Sequence, residues 1–138
     1  MDEATNMELH PWITRVHASL HIQRYPVDLT DKSIMDFVAF SESFILALPT
    51  PYAWVVEIEG LVRASRHQRQ LVQALGTKLS SYAATHSAGT AIVAKGVILR
   101  GVVKTQYLVK APSFPVKVVD TVERGIQWAE EQLAAGRS

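Results

Sequence analysis

Hydrophobic and polar positions along this chain change period several times, and each change marks an element. From Arg15 to Gln23 the alternation is strict: Arg15, His17, Ser19, His21 and Gln23 fall on one side, and Val16, Ala18, Leu20 and Ile22 on the other. Period two predicts a single strand with one buried and one exposed side, at a sheet edge or on a face open to water or a partner. Pro26 and the run Leu29–Asp31 end that strand and open a helix, where Thr30 or Asp31 can accept first-turn amides. Ile34, Phe37, Val38, Ser41, Ile45 and Leu48 then follow one helical stripe. Pro49 and Pro51 stop it, because proline cannot continue the hydrogen-bond ladder.

Ala53 to Ile58 is apolar except for Glu57, the pattern of a central strand covered on both faces. A loop around Gly60 follows. Ser65 and Gln68 make an S-x-x-Q capping box, and Leu71, Val72, Leu75, Leu79, Tyr82 and Ala83 give the stripe of one long helix. Gly76 inside it weakens the helix or admits a close neighbour. Ser87–Gly89 reads as a turn and Thr90–Ala94 as a buried strand. Gly96–Val109 fits two periods: its β-branched residues suit a strand, while Val97, Leu99–Arg100, Val103 and Tyr107 suit a helix. Helix is the favoured reading, because a connection back to the same sheet is needed. A proline-rich loop, a short strand at Val116–Val119 and a D-x-x-E box at Asp120 and Glu123 lead into the last helix. Its inner face is Val122, Ile126, Ala129 and Leu133, flanked by Trp128.

The succession β-α-β-α-β-α-β-α predicts an α/β fold: a two-layer sandwich with a mostly parallel sheet of four to five strands and helices packed on it. Residues 1–11 read as a frayed start and 12–136 as a single domain. At 138 residues with 48% apolar content, one core is affordable. Lys plus Arg is 14 and Asp plus Glu 13, far from the excess a nucleic-acid binder needs. The absence of cysteine excludes disulfides, thiol catalysis and zinc–thiolate sites. The acidic opening MDEATNMELHP is no signal peptide, and the longest apolar stretch, 88–103, is interrupted by Lys95 and Arg100 and too short to span a bilayer. The expectation is a soluble, cytoplasmic protein with no membrane or nucleic-acid partner.

Candidate chemistry concentrates between Tyr52 and Gln70, where a strand runs into a loop and then a helix start carrying Arg66, His67 and Arg69. In open α/β sheets, the turn after a strand's carboxyl end is where ligands and partners sit. Cations at a helix start oppose its dipole, so the cluster is locally unfavourable. Two readings stand side by side. Arg63, Arg66, His67 and Arg69, with Gly60, Ser65 and Lys95, form a partner- or anion-binding surface; or the arginines pair with Glu57, Glu59 or solvent. Ser65 is a helix cap and also a candidate phosphorylation site. His17 and His21, about 13 Å apart along one strand, read as exposed and too distant to share a metal. No HExxH spacing, G-x-S-x-G elbow or phosphate loop is present. Neither catalytic residues nor a metal or cofactor is therefore expected. Trp12, Trp54 and Trp128 read as core or interface residues.

The order of segments resembles the STAS superfamily (sulfate transporter and anti-sigma factor antagonist), and in particular its small bacterial members grouped with lipid-transfer relatives. The resemblance covers about Arg15 to Leu133. It rests on the opening strand, the LTD helix start, VVEIEGL, the S-x-x-Q helix, AIVAKG and the ending FPVKVVDTVERGIQWAEEQL. It implies an α/β sandwich with the sheet on one side and helices on the other, and a binding module rather than an enzyme. In the regulatory members a Ser or Thr at the position of Ser65 is phosphorylated to switch partner binding. Those members carry a D-S-S-G-like run there; this chain has RASRHQ, so an added phosphate would sit among arginines. The resulting expectation is a non-enzymatic protein-interaction module of unknown partner, contacting it through Gly60–Arg69 with Lys95 and Asp120 at the same sheet end. A homodimer through the exposed sheet edge is one assembly this reading allows. The alternative is a module for a small anionic or acyl ligand between helices and sheet. A third reading is an enzyme with Glu57 or His67 as base.

Overall fold

The structure, a computed structural model, describes residues 9–109 and 111–136, with side chains described outside 106–110. Of the expected frayed start, 1–8 lies outside the described residues, as does the Tyr107 side chain. Leu9 packs against the core, and His10 Nδ1 accepts a hydrogen bond from the Trp12 amide at 3.1 Å.

The alternating run at Arg15–Gln23 is not one strand. It folds back on itself as a hairpin of β1 (Ile13–His17) and β2 (Leu20–Arg24), with Ala18 and Ser19 at the tip. No Gly, Asn or Pro announces this turn. The Ser19 amide instead donates to His17 Nδ1 at 3.2 Å, a side-chain-to-backbone closure that a propensity reading does not register. The pairing shifts between Arg15 and His17, and the bulge reverses which way the following side chains point. His17 therefore reaches Glu130 at 2.7 Å on one sheet face, while His21 is fully buried on the other, between Phe44 and Trp54. The expected exposed histidine pair does not exist.

From β2 onward the chain alternates as expected: α1 (Asp31–Ala47), β3 (Tyr52–Glu57), a single turn α2 (Glu59–Val62), α3 (Arg66–Lys78), α4 (Ser80–His86), β4 (Ser87–Val93), α5 (Val97–Val109), β5 (Val116–Val119) and α6 (Val122–Gly136). Thr30 is the N-cap of α1, accepting from the Ser33 amide. The long helix expected after Ser65 breaks at Leu79 into α3 and α4, and Ser87–Gly89 is not a turn but the start of β4, bonded to β3. Segment 97–109 is the favoured helix. At α6 the D-x-x-E box gives way to Thr121, whose Oγ1 accepts the Arg124 amide at 3.1 Å, while Asp120 pairs with the Arg124 guanidinium.

The five strands lie in the order β1-β2-β3-β4-β5, antiparallel at the hairpin and parallel from β2 on. This is the expected α/β fold with a mostly parallel sheet. Each crossover steps to the next strand in the same direction, so crossovers of one hand place their helices on one face. Accordingly α1, α3 and α4 pack over Tyr52 and Trp54, and α5 packs beside them over Ile92. α6 has no further strand to reach and lies on the other face, with Ala129 and Leu133 against Leu20, Val55 and Val93. Phe37 and Phe44, both nearly inaccessible, anchor α1; burial of such a ring is worth about 2–3 kcal/mol. Among the described residues no helix is long and apolar enough to cross a membrane.

Candidate functional site

β3 and β4 finish side by side, with Glu57 opposite Val93 and the Ile58 amide bonded to the Val93 carbonyl. The chain leaves β3 into α2 and α3, and leaves β4 through Lys95 into α5. The sheet thus brings the sequence-predicted residues from two separate segments to one end.

Their individual roles differ. Gly60 is buried and offers no surface: a Cβ there would lie 2.1 Å from the Tyr25 carbonyl oxygen and 2.7 Å from that of Pro26. Arg69 turns back, its Nη1 donating to the Ala64 carbonyl at 2.6 Å at the end of α2. Arg63 faces Glu59 at 3.6 Å, and Glu57 is taken by Arg24 instead. Arg66, His67 and Lys95 are exposed and make no ion pair with another described residue.

Ser65 is the N-cap of α3. Its Oγ accepts the Gln68 amide at 3.1 Å, and Gln68 Oε1 accepts the Ser65 amide at 3.0 Å. Gln68 is buried because its Nε2 also donates to the Leu29 carbonyl and the Asp31 carboxylate, joining the starts of α1 and α3. Replacing Ser65 by Ala is expected to cost about 1 kcal/mol in urea unfolding, with Asp restoring most of it. Unchanged stability in Ser65→Ala would remove the capping role.

One signal escaped the reading of motifs. From Gly60 to Val119 the chain holds nine of its fourteen Lys and Arg and none of its thirteen Asp and Glu. Near-neutral overall charge conceals this segregation. The same sheet end also exposes aliphatic side chains: Val62 at 45%, Val97 at 77% and Ile98 at 86%.

A second feature lies between the helices and the sheet. A cavity of about 270 Å³, open to solvent on one side, is lined by β2–β4, α1, α3 and α4, with Phe114 at its border. Leu75 and Leu79, read as core from their stripe, are only half-buried because they line it. Periodicity shows which face of a helix turns inward, not whether the space there is filled. No lining side chain is Lys, Arg, His, Asp or Glu. Tyr52, also on the wall, has its pKa pushed up to about 12 by burial and by Tyr82, so it stays neutral. No three metal-ligating side chains converge among the described residues.

Comparison of the chain with protein-family models, with curated proteins and with solved structures finds no match.

Proposed function

We propose that this chain is a non-enzymatic protein-interaction module of STAS-like type, and that its partner presents an acidic segment with apolar side chains to the end of the sheet where β3 and β4 finish. The motifs of the sequence suggest the type. The observation that carries the docking surface is the convergence there of exposed Arg66, His67 and Lys95, without carboxylate partners, and exposed Val62, Val97 and Ile98. Aliphatic side chains this exposed are stabilised when a partner covers them, and cations from an acid-free segment select a partner rich in carboxylates. Gly60 and Arg69 shape this surface from within; Arg66, His67 and Lys95 touch the partner. Phosphorylation of Ser65 would add negative charge beside Arg66 at a helix start, neutralise part of the surface and weaken an acidic partner.

The test is the double charge reversal Arg66→Glu with Lys95→Glu. A partner captured by crosslinking in an extract should contain an acidic segment and lose affinity as salt rises. It should bind the double variant at least tenfold more weakly, with the variant's melting temperature near that of the parent. A partner insensitive to both salt and charge reversal rules the surface out.

A further inference from the structure

We propose that the cavity between α1, α3–α4 and the sheet is a binding site for a small neutral molecule, mostly hydrocarbon, that carries a hydrogen-bond-accepting oxygen. Nothing in the docking proposal bears on it, since the two sites share no residue.

Size sets the first limit. An apolar cavity of about 150 Å³ takes a benzene ring, so one nearly twice as large suits a molecule of about ten non-hydrogen atoms. The lining sets the second. A charged group drawn to the buried end, where Ser41, Trp54 and Ser87 lie, would lose its hydration and meet no counter-charge, which disfavours a carboxylate or phosphate there. The acyl half of the expected ligand class fits; the anionic half does not.

Unpaired polar atoms set the third. Ser41 Oγ, Trp54 Nε1 and Ser87 Oγ are buried without a hydrogen-bond partner, and all three residues line the cavity. They come from α1, β3 and β4, so three elements converge with unused hydrogen-bonding capacity. An indole N–H donates only, so the complementary group is an acceptor oxygen. A buried donor left unpaired costs about 1–3 kcal/mol, which a carbonyl or ether oxygen from a ligand would recover.

Gly76 is the fourth observation. It sits inside α3, where glycine is about 1 kcal/mol worse than alanine. A close neighbour would explain it, but a Cβ there meets no atom within 4 Å. Gly76 is exposed at the rim of the cavity, where a missing side chain leaves the entrance wider.

The experiment is calorimetric titration of the full chain at pH 7.5 with 2-nonanone, a neutral ketone of the inferred size, beside nonanoate and nonane. One ketone should bind per chain, at least tenfold more tightly than nonanoate. Trp54→Phe should weaken the ketone about fivefold, the loss of one hydrogen bond, and leave nonane unchanged. Leu75→Trp, from a half-buried lining position, should fill the cavity and abolish binding of both, and Gly76→Leu at the rim should narrow the entrance and weaken both. The inference is overturned if the parent chain binds no ketone at millimolar concentration. It is overturned equally if nonanoate binds as well as the ketone, or if Leu75→Trp binds like the parent.

Discussion

Gly60→Ala is expected to destabilise the protein by at least about 3 kcal/mol, a fall of roughly 10 °C in melting temperature. The added methyl would sit 2.1 Å from the Tyr25 carbonyl oxygen, 2.6 Å from its carbon and 2.7 Å from the Pro26 carbonyl oxygen. These are backbone atoms that follow directly on β2, and they cannot rotate away as a side chain would. Either the exit of β2 or α2 must move by about an ångström, and overpacking of that kind costs more than a repacked side chain. The contrasting substitution is Gly101→Ala in α5, where a Cβ meets nothing within 4 Å; it is expected to stabilise by about 0.5–1 kcal/mol. Thermal melts of both variants check the pair. A Gly60→Ala protein that melts within about two degrees of the parent contradicts the close approach. The substitution also separates shape from charge at the candidate surface. α2 carries Arg63 at its end and leads to the Ser65 cap, so its displacement disturbs the docking surface with every cation still present.

Stability should fall as pH drops from 6.5 towards 4, and His21 should account for roughly 3 kcal/mol of that fall. Burial, then the charges of Arg15 and His17, push the His21 pKa down to about 4 from 6.5. The sign follows from proton binding. Between those values the unfolded chain holds a proton on this ring and the folded chain does not, so the unfolded state gains as pH falls. The contribution is complete above pH 6.5 and gone below about 4; each pK unit is worth about 1.4 kcal/mol. Geometry agrees with a neutral ring. Arg15 Nε donates to His21 Nε2 at 3.1 Å, and since a guanidinium only donates, Nε2 is the unprotonated nitrogen. The ring proton is then on Nδ1, which is buried without a partner. His10 is also shifted down by burial, opposed by Asp36, and adds a smaller term of the same sign. The variant His21→Leu isolates the larger one. At pH 7.5 it should be close to the parent, because the lost Arg15 bond is offset by removal of a buried unpaired N–H. At pH 4.5 it should exceed the parent by roughly 2–3 kcal/mol in urea unfolding. Parallel pH profiles for the two proteins would show that His21 does not titrate as assigned.

His21 also shows where periodicity misleads. Strict alternation from Arg15 to Gln23 is real, but it runs unbroken through a two-residue turn and a bulge, and each of these resets which side faces the core. A period locates faces only within one unbroken strand. The stripe in α1 was legible, yet it passed over Phe44, which is fully buried, because the interval from Ser41 suits Ile45 nearly as well. The Ser65–Gln68 box was legible in full because capping is local, set by four consecutive residues. At Asp120–Glu123 an equally good pattern lost to Thr121, one residue along.

What the sequence alone determined are the properties that depend on neighbours along the chain. These are the alternation of strands and helices, the α/β class, the Ser65 cap, the end of α1 near its prolines, and the cluster of arginines after β3. Tertiary structure decided which of those arginines is engaged. Arg69 turns to the carbonyls of α2, Arg63 faces Glu59, and Arg66 stays exposed at the same sheet end as Lys95. It decided that His21 is a core residue, and it left a cavity of about 270 Å³ between helices whose stripes read as ordinary core. The arginine contacts span only four to seven positions, but they need the turn that α2 makes. For His21 and the cavity the reason is longer in range: a residue's own type and spacing fix its local conformation, but packing volume and unpaired hydrogen-bond donors are set by residues tens of positions away. Only the folded arrangement of the sheet brings those into contact.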